Sequence, residues 1–106
     1  MTIFDQREGA IEAAFARRQD VLFEARATGL REFASWAASE LGKSSDEANR
    51  YVDDLLATFI REGQLTDIVS RVRDEFGTAG RVVGKRSLMA RYDEAVSKAT
   101  ALAFKA

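Results

Sequence analysis

Three observations predict an all-α fold, a bundle of four helices. Proline is absent, and alanine, the strongest helix former, supplies 18 of the 106 residues. Apolar side chains recur at helical spacing rather than in strict alternation. Glycines at 42, 63, 77 and 84 punctuate the periodic stretches where helices stop and start. The length suits one domain with a modest core. Alanine buries little area, so the composition favours helicity more than core volume.

The first helix is expected to open at Thr2 as cap, with Asp5 three residues on as a carboxylate variant of the capping box. Periodicity carries it to Leu41, where Gly42 supplies the stop. Gly9 and Gly29 lie inside it, and each costs about 1 kcal/mol relative to alanine, so the helix is weakest there. The second starts from Ser44, with Glu47 completing a capping box, presents Tyr51, Val52, Leu55, Leu56, Phe59 and Ile60 as its apolar face, and ends at Gly63. The third is short, capped by Thr66 and stopped at Gly77, and buries Ile68, Val69, Val72 and Phe76. Gly84 is an acceptable cap for the fourth, about Lys85 to Phe104, with Leu88, Met89, Tyr92, Val96 and Phe104 inward. Short connections make successive helices antiparallel neighbours.

The first helix carries two stripes. At about 100° per residue, Phe4, Ile11, Phe15 and Leu22 make a narrow seam with Asp5, Arg7, Glu8, Glu12, Arg17 and Arg18 around it. Farther on, Phe23, Leu30, Phe33, Ala34, Trp36, Ala37 and Leu41 make a broader face suited to a core. The residues alone leave two readings for the seam, packing on the chain's own core or docking in a groove of another protein.

Composition excludes much chemistry. Cysteine and histidine are both absent, which removes disulfides, thiol nucleophiles, imidazole bases and ordinary zinc sites. No metal and no cofactor is expected. The adjacent acids Asp53–Asp54 and Asp93–Glu94 point about 100° apart on a helix and do not converge for acid–base work. The net charge of −1 argues against nucleic acid as partner. Charge is nevertheless segregated, with residues 40–67 carrying −4 and residues 81–106 carrying +4. Pairing between these blocks inside the bundle is the favoured reading. No apolar run approaches a membrane span, and the opening lacks a secretory pattern, so a cytoplasmic protein without membrane insertion is expected.

The stretch AGRVVGKRS lacks the first glycine, the hydroxyl residue and the preceding strand of a phosphate-binding loop. It reads as a helix start. Lys85, Arg86 and Arg91 are retained as a weak nucleotide contact, the alternative reading being a helical module that binds a small ligand such as an adenine nucleotide.

The opening MTIFDQREGAIEAAFA resembles the zeta subunit family, the ATPase inhibitors of alphaproteobacterial F-type ATP synthases, at Phe4, Asp5, Arg7, Glu8, Ala10, Glu12, Phe15 and Ala16. Phe23, Trp36-Ala37-Ala38, Leu41-Gly42, Glu47-Ala48, Tyr51, Glu62, Asp67, Val72-Arg73 and Asp93-Glu94 follow at family spacing without gaps. The resemblance implies a non-enzymatic regulatory subunit, monomeric when free and held peripherally on the inner-membrane ATP synthase. It implies a mobile N-terminal segment, residues 1–18, that is helical when bound, and a bundle domain over residues 19–106. That segment would insert at a catalytic alpha/beta interface against the gamma rotor and block rotation in the hydrolytic direction. Phe4, Asp5, Arg7, Glu8, Ile11, Glu12 and Phe15 would make the inhibitory contacts. The chain departs from the family at Ile11, where a large aromatic is common, and at Gly9 and Ala14, where lysines are.

Overall fold

The computed structural model describes the backbone of residues 3–105 and the side chains of residues 9–104. Within them the chain forms α1 (Ile3–Glu40), α2 (Ser45–Glu62), α3 (Leu65–Thr78) and α4 (Lys85–Lys105), with no strand among the described residues. The proposed cap Thr2 lies outside them. The molecule measures 64 × 27 × 26 Å. Its long dimension is set by α1, whose 38 residues span about 57 Å.

Local signals place α2 as the sequence requires. The Ser44 hydroxyl accepts the Glu47 N–H at 3.3 Å, and Gly63 ends the helix with its N–H donating to the Phe59 carbonyl at 2.7 Å. α4 starts directly after Gly84, with Leu88 N–H bonding the Gly84 carbonyl. α3 differs at both ends. It starts at Leu65 from Gln64, which makes no side-chain cap bond, so Thr66 lies within the first turn and is not the cap. Only one residue separates Gly63 from Leu65, and the chain turns at once to bring Ile68 and Val69 inward. Gly77 does not stop the helix either. The stop is Gly80, whose φ of 82° places it in the left-handed region where a Cβ is strained. Gly80 N–H then reaches the Gly77 carbonyl and Arg81 N–H the Phe76 carbonyl, the paired bonds of a Schellman ending.

α1 is the spine, packed chiefly against α4 and α2. Both run antiparallel to it. Going back along α1, Trp36 meets Arg91 and Gly29 meets Val96 of α4, while Phe23 stacks on Phe59 near the end of α2 at 6.2 Å. The core gathers Leu30, Phe33, Ala34, Ala37 and Ala38 of α1 with Tyr51, Val52, Leu55 and Phe59 of α2. Ile68, Val69, Val72 and Phe76 of α3 and Leu88 and Tyr92 of α4 complete it. Trp36 wedges beside it, 6.0 Å from Phe33 and 5.7 Å from Phe76 between ring centroids. At Gly29 α1 and α4 approach closely, since a Cβ there would lie 2.9 Å from the Val96 backbone.

Three side chains read as inward are not, the first being Phe23, which is 48% exposed although it stacks on Phe59. Ile60 is 60% exposed and Phe104 is 51% exposed. Both sit in the last turns of their helices, at the end of the bundle where fewer elements remain to cover them. The two charge blocks also pair less than expected. Among the described residues one ion pair joins them, Arg81 to Glu40 at 2.6 Å. Arg71 instead bridges α3 to Asp54 of α2 at 2.5 Å, and Lys98 pairs with Glu94 along α4.

Candidate functional site

The sequence singles out the start of α1, and the structure leaves that part of the helix uncovered. Residues 9–20 are all exposed, with Ile11 at 66% and Phe15 at 63%. The cause is the unequal length of the helices. α2 reaches back only to about Phe23, through Phe59, and α4 only to the stretch Ala14–Val21, where Ala14, Arg17, Arg18 and Val21 share a shallow cleft with Ala103 and Phe104. α1 continues beyond both.

The seam is the core face carried past the end of the bundle. Phe15 precedes the buried Phe33 by about five turns, and Ile11 precedes Gly29 by the same interval, so on a regular helix each points the same way as its counterpart. Inside the bundle that direction meets α4 and the core; outside it meets solvent. Leu22, where the bundle begins, is half-buried. Glu12, Arg17, Arg18 and Asp20 are exposed around the seam. Phe4, Asp5, Arg7 and Glu8 belong to the first turns of α1, and their side chains lie outside the described residues.

Ile11 and Phe15, standing among charges, offer apolar area and orientation to solvent. Among the described residues no group of three acids is placed to hold a metal ion. The strongest electrostatic perturbation is elsewhere, at the α2–α3 junction. Burial first, and then the nearby Glu75 carboxylate, hold the Tyr51 hydroxyl protonated well above the ordinary tyrosine range. That hydroxyl is buried without a hydrogen-bond partner. Desolvation raises Tyr92 in the same direction.

The three basic residues retained for a nucleotide are not gathered. Lys85 is half-buried in the first turn of α4, and Arg86 beside it is exposed. Arg91 lies about 140° around the helix from Arg86 and about 120° from Lys85. Its guanidinium covers the Trp36 ring at 4.0 Å, beside a cleft of about 110 Å³ formed with Glu32, Phe33, Glu94 and Lys98. Ligand pockets for drug-sized molecules run to roughly 300 Å³ and more. Sequence reasoning missed the place of Phe104 beside Arg18 and Val21, because helical periodicity gives a direction for a side chain but not the length of its neighbour.

The described chain is thus a protruding helix with an uncovered apolar seam, followed by a small packed bundle. Neither the curated proteins nor the solved structures give a match. The family model described as ATPase inhibitor subunit zeta matches residues 1–102, which takes in the exposed seam, the whole of α2 and α3 and all but the last turn of α4. The chain belongs to the ATPase inhibitor subunit zeta family.

Proposed function

We propose that this protein is a non-catalytic regulatory subunit that docks on the catalytic head of an F-type ATP synthase and blocks rotation in the ATP-hydrolysing direction. Residues 1–18 are the inhibitory element, and residues 19–106 form the bundle that carries it. The element inserts as a helix at a catalytic alpha/beta interface against gamma, through Phe4, Asp5, Arg7, Glu8, Ile11, Glu12 and Phe15. The free protein is monomeric, cytoplasmic and peripheral to the membrane enzyme. The observation that supports this reading best is the exposure of Ile11 and Phe15 on the projecting end of α1, in a chain of an inhibitor family.

Helices of about fifteen residues are marginal in water by themselves. The tip of the element, remote from α2 and α4, is therefore mobile in the free protein and becomes fixed on docking. Ile11 in place of a large aromatic reduces the area the tip can bury, and Gly9 weakens its helix. A chain lacking residues 1–18 tests the proposal. It should keep its bundle fold by circular dichroism and lose inhibition of ATP hydrolysis by the membrane ATPase. Phe15→Asp, which places a charge in the docked seam, should act the same way. Undiminished inhibition by the truncated chain refutes the mechanism.

A further inference from the structure

We propose that the last turn of α4 is a clasp that holds the base of the projecting helix in order, so that Phe15 is presented on a fixed helix. The inference rests on the reading of α1 as a docking element and adds the part of the chain that controls it.

The geometry is that of a brace at the limit of the bundle. Phe59, in the last turn of α2, lies against Phe23, so beyond the end of that helix α4 is the neighbour that remains toward the N-terminus of α1. Ala103 and Phe104 line one cleft with Ala14, Arg17, Arg18 and Val21, four residues that share one face of α1 over two turns. Phe104 is half-covered there and Val21 is half-buried, although the rest of that stretch of α1 is open to solvent. Phe15 lies inside the braced interval, and Ile11 lies beyond it.

The physical consequence follows from helix cooperativity. A helix continues outward from an ordered turn at little cost, whereas a new nucleus is unfavourable. A contact at Ala14–Val21 therefore does more than order those four residues, because it sets the point from which the tip propagates. It also lowers the ordering cost of docking, since residues already helical lose less freedom when bound. Ile11 and Phe15 are then unequal as anchors: Phe15 docks from a rigid base, and Ile11 must be ordered by the partner.

Two variants of the full-length protein test this, Phe104→Ala and a chain ending at Ala101. Amide hydrogen exchange is read residue by residue, with thermal melting by circular dichroism as the check on the bundle. The expected result is exchange at least about tenfold faster over residues 14–21 with residues 30–40 unchanged, together with a several-fold higher concentration for half-inhibition of ATP hydrolysis. Unchanged exchange over residues 14–21 in both variants overturns the clasp. Faster exchange with undiminished inhibition overturns its role in docking. If the unaltered protein fails to inhibit, the functional reading falls alone, and the exchange comparison still decides whether α4 orders the base.

Discussion

Gly29→Ala sets two well-known effects against each other at a position where the structure says which one wins. In a helix interior, alanine for glycine gains about 1 kcal/mol. At Gly29 the added Cβ would stand 2.6 Å from Val96 Cγ2 and 2.9 Å from the Val96 Cα and backbone nitrogen. Carbon atoms pack comfortably at about 3.5–4.0 Å. A β-branched methyl has little freedom to turn away, and the backbone atoms move only if α4 moves as a whole. α1 and α4 must therefore part by roughly 1 Å along the main seam of the bundle, and overpacking of this kind costs about 1–3 kcal/mol. With rigid backbone as the obstacle the upper half of that range applies, leaving a net loss of about 1–2 kcal/mol. Gly77→Ala is the control, because a Cβ at Gly77 meets nothing within 4 Å and the residue is helical. Thermal unfolding by circular dichroism should show Gly29→Ala lowering Tm by about 4–10 °C, at the usual scale of several degrees per kcal/mol. Gly77→Ala should hold Tm or raise it by a few degrees. If both substitutions raise Tm alike, α1 and α4 do not approach as described and the argument fails.

Two further predictions concern the core. Phe33→Ala removes a ring that is 1% exposed and touches Trp36 and Tyr92, so urea unfolding should show a loss of about 3–5 kcal/mol, whereas a loss below about 1 kcal/mol would mean the ring is not buried. Tyr51 and Tyr92 are raised in the folded state by desolvation. Below the unfolded tyrosine pKa of about 10 both states keep the proton and stability is fully present; as pH rises past it the unfolded chain ionises first and stability falls, by up to about 1.4 kcal/mol per pH unit for each tyrosine. Urea midpoints between about pH 8 and 11 should be level and then decline, and tyrosinate absorbance at the ordinary pKa in the folded protein would contradict this.

What the sequence disclosed depends on whether a signal is local. Ser44 with Glu47, Gly63 and Gly84 are decided by bonds within one or two turns, and each falls where the pattern puts it. The choice between Gly77 and Gly80 is not local in that sense. A glycine inside a helix and a glycine ending one look alike until φ is known, and the turn that must lead Arg81 to Glu40 selects the later residue. Ile60 and Phe104 follow the helical period correctly and still end half-exposed, because burial requires a neighbour of sufficient length. The same cause makes the candidate site. Ile11 and Phe15 continue the direction of Gly29 and Phe33, and only the lengths of α2 and α4 decide that they face solvent. Charge segregation was equally visible and equally undirected. The acidic and basic blocks lie largely on α2 and α4, each of which packs against α1, and among the described residues a single ion pair, Arg81–Glu40, connects them.

The packing around Trp36 gives the protein an intrinsic optical probe with a defined field of view. Its indole is the sole one in the chain and stands where α1, α3 and α4 meet, under the Arg91 guanidinium and beside Phe33 and Phe76. Phe15 is 21 residues away along the same helix, about 31 Å. Emission therefore monitors closure of the three-helix junction and is blind to what happens at the tip. A partner that engages the tip alone will leave the spectrum unaltered, and any shift on engagement will mean that the load has travelled down α1 into the junction.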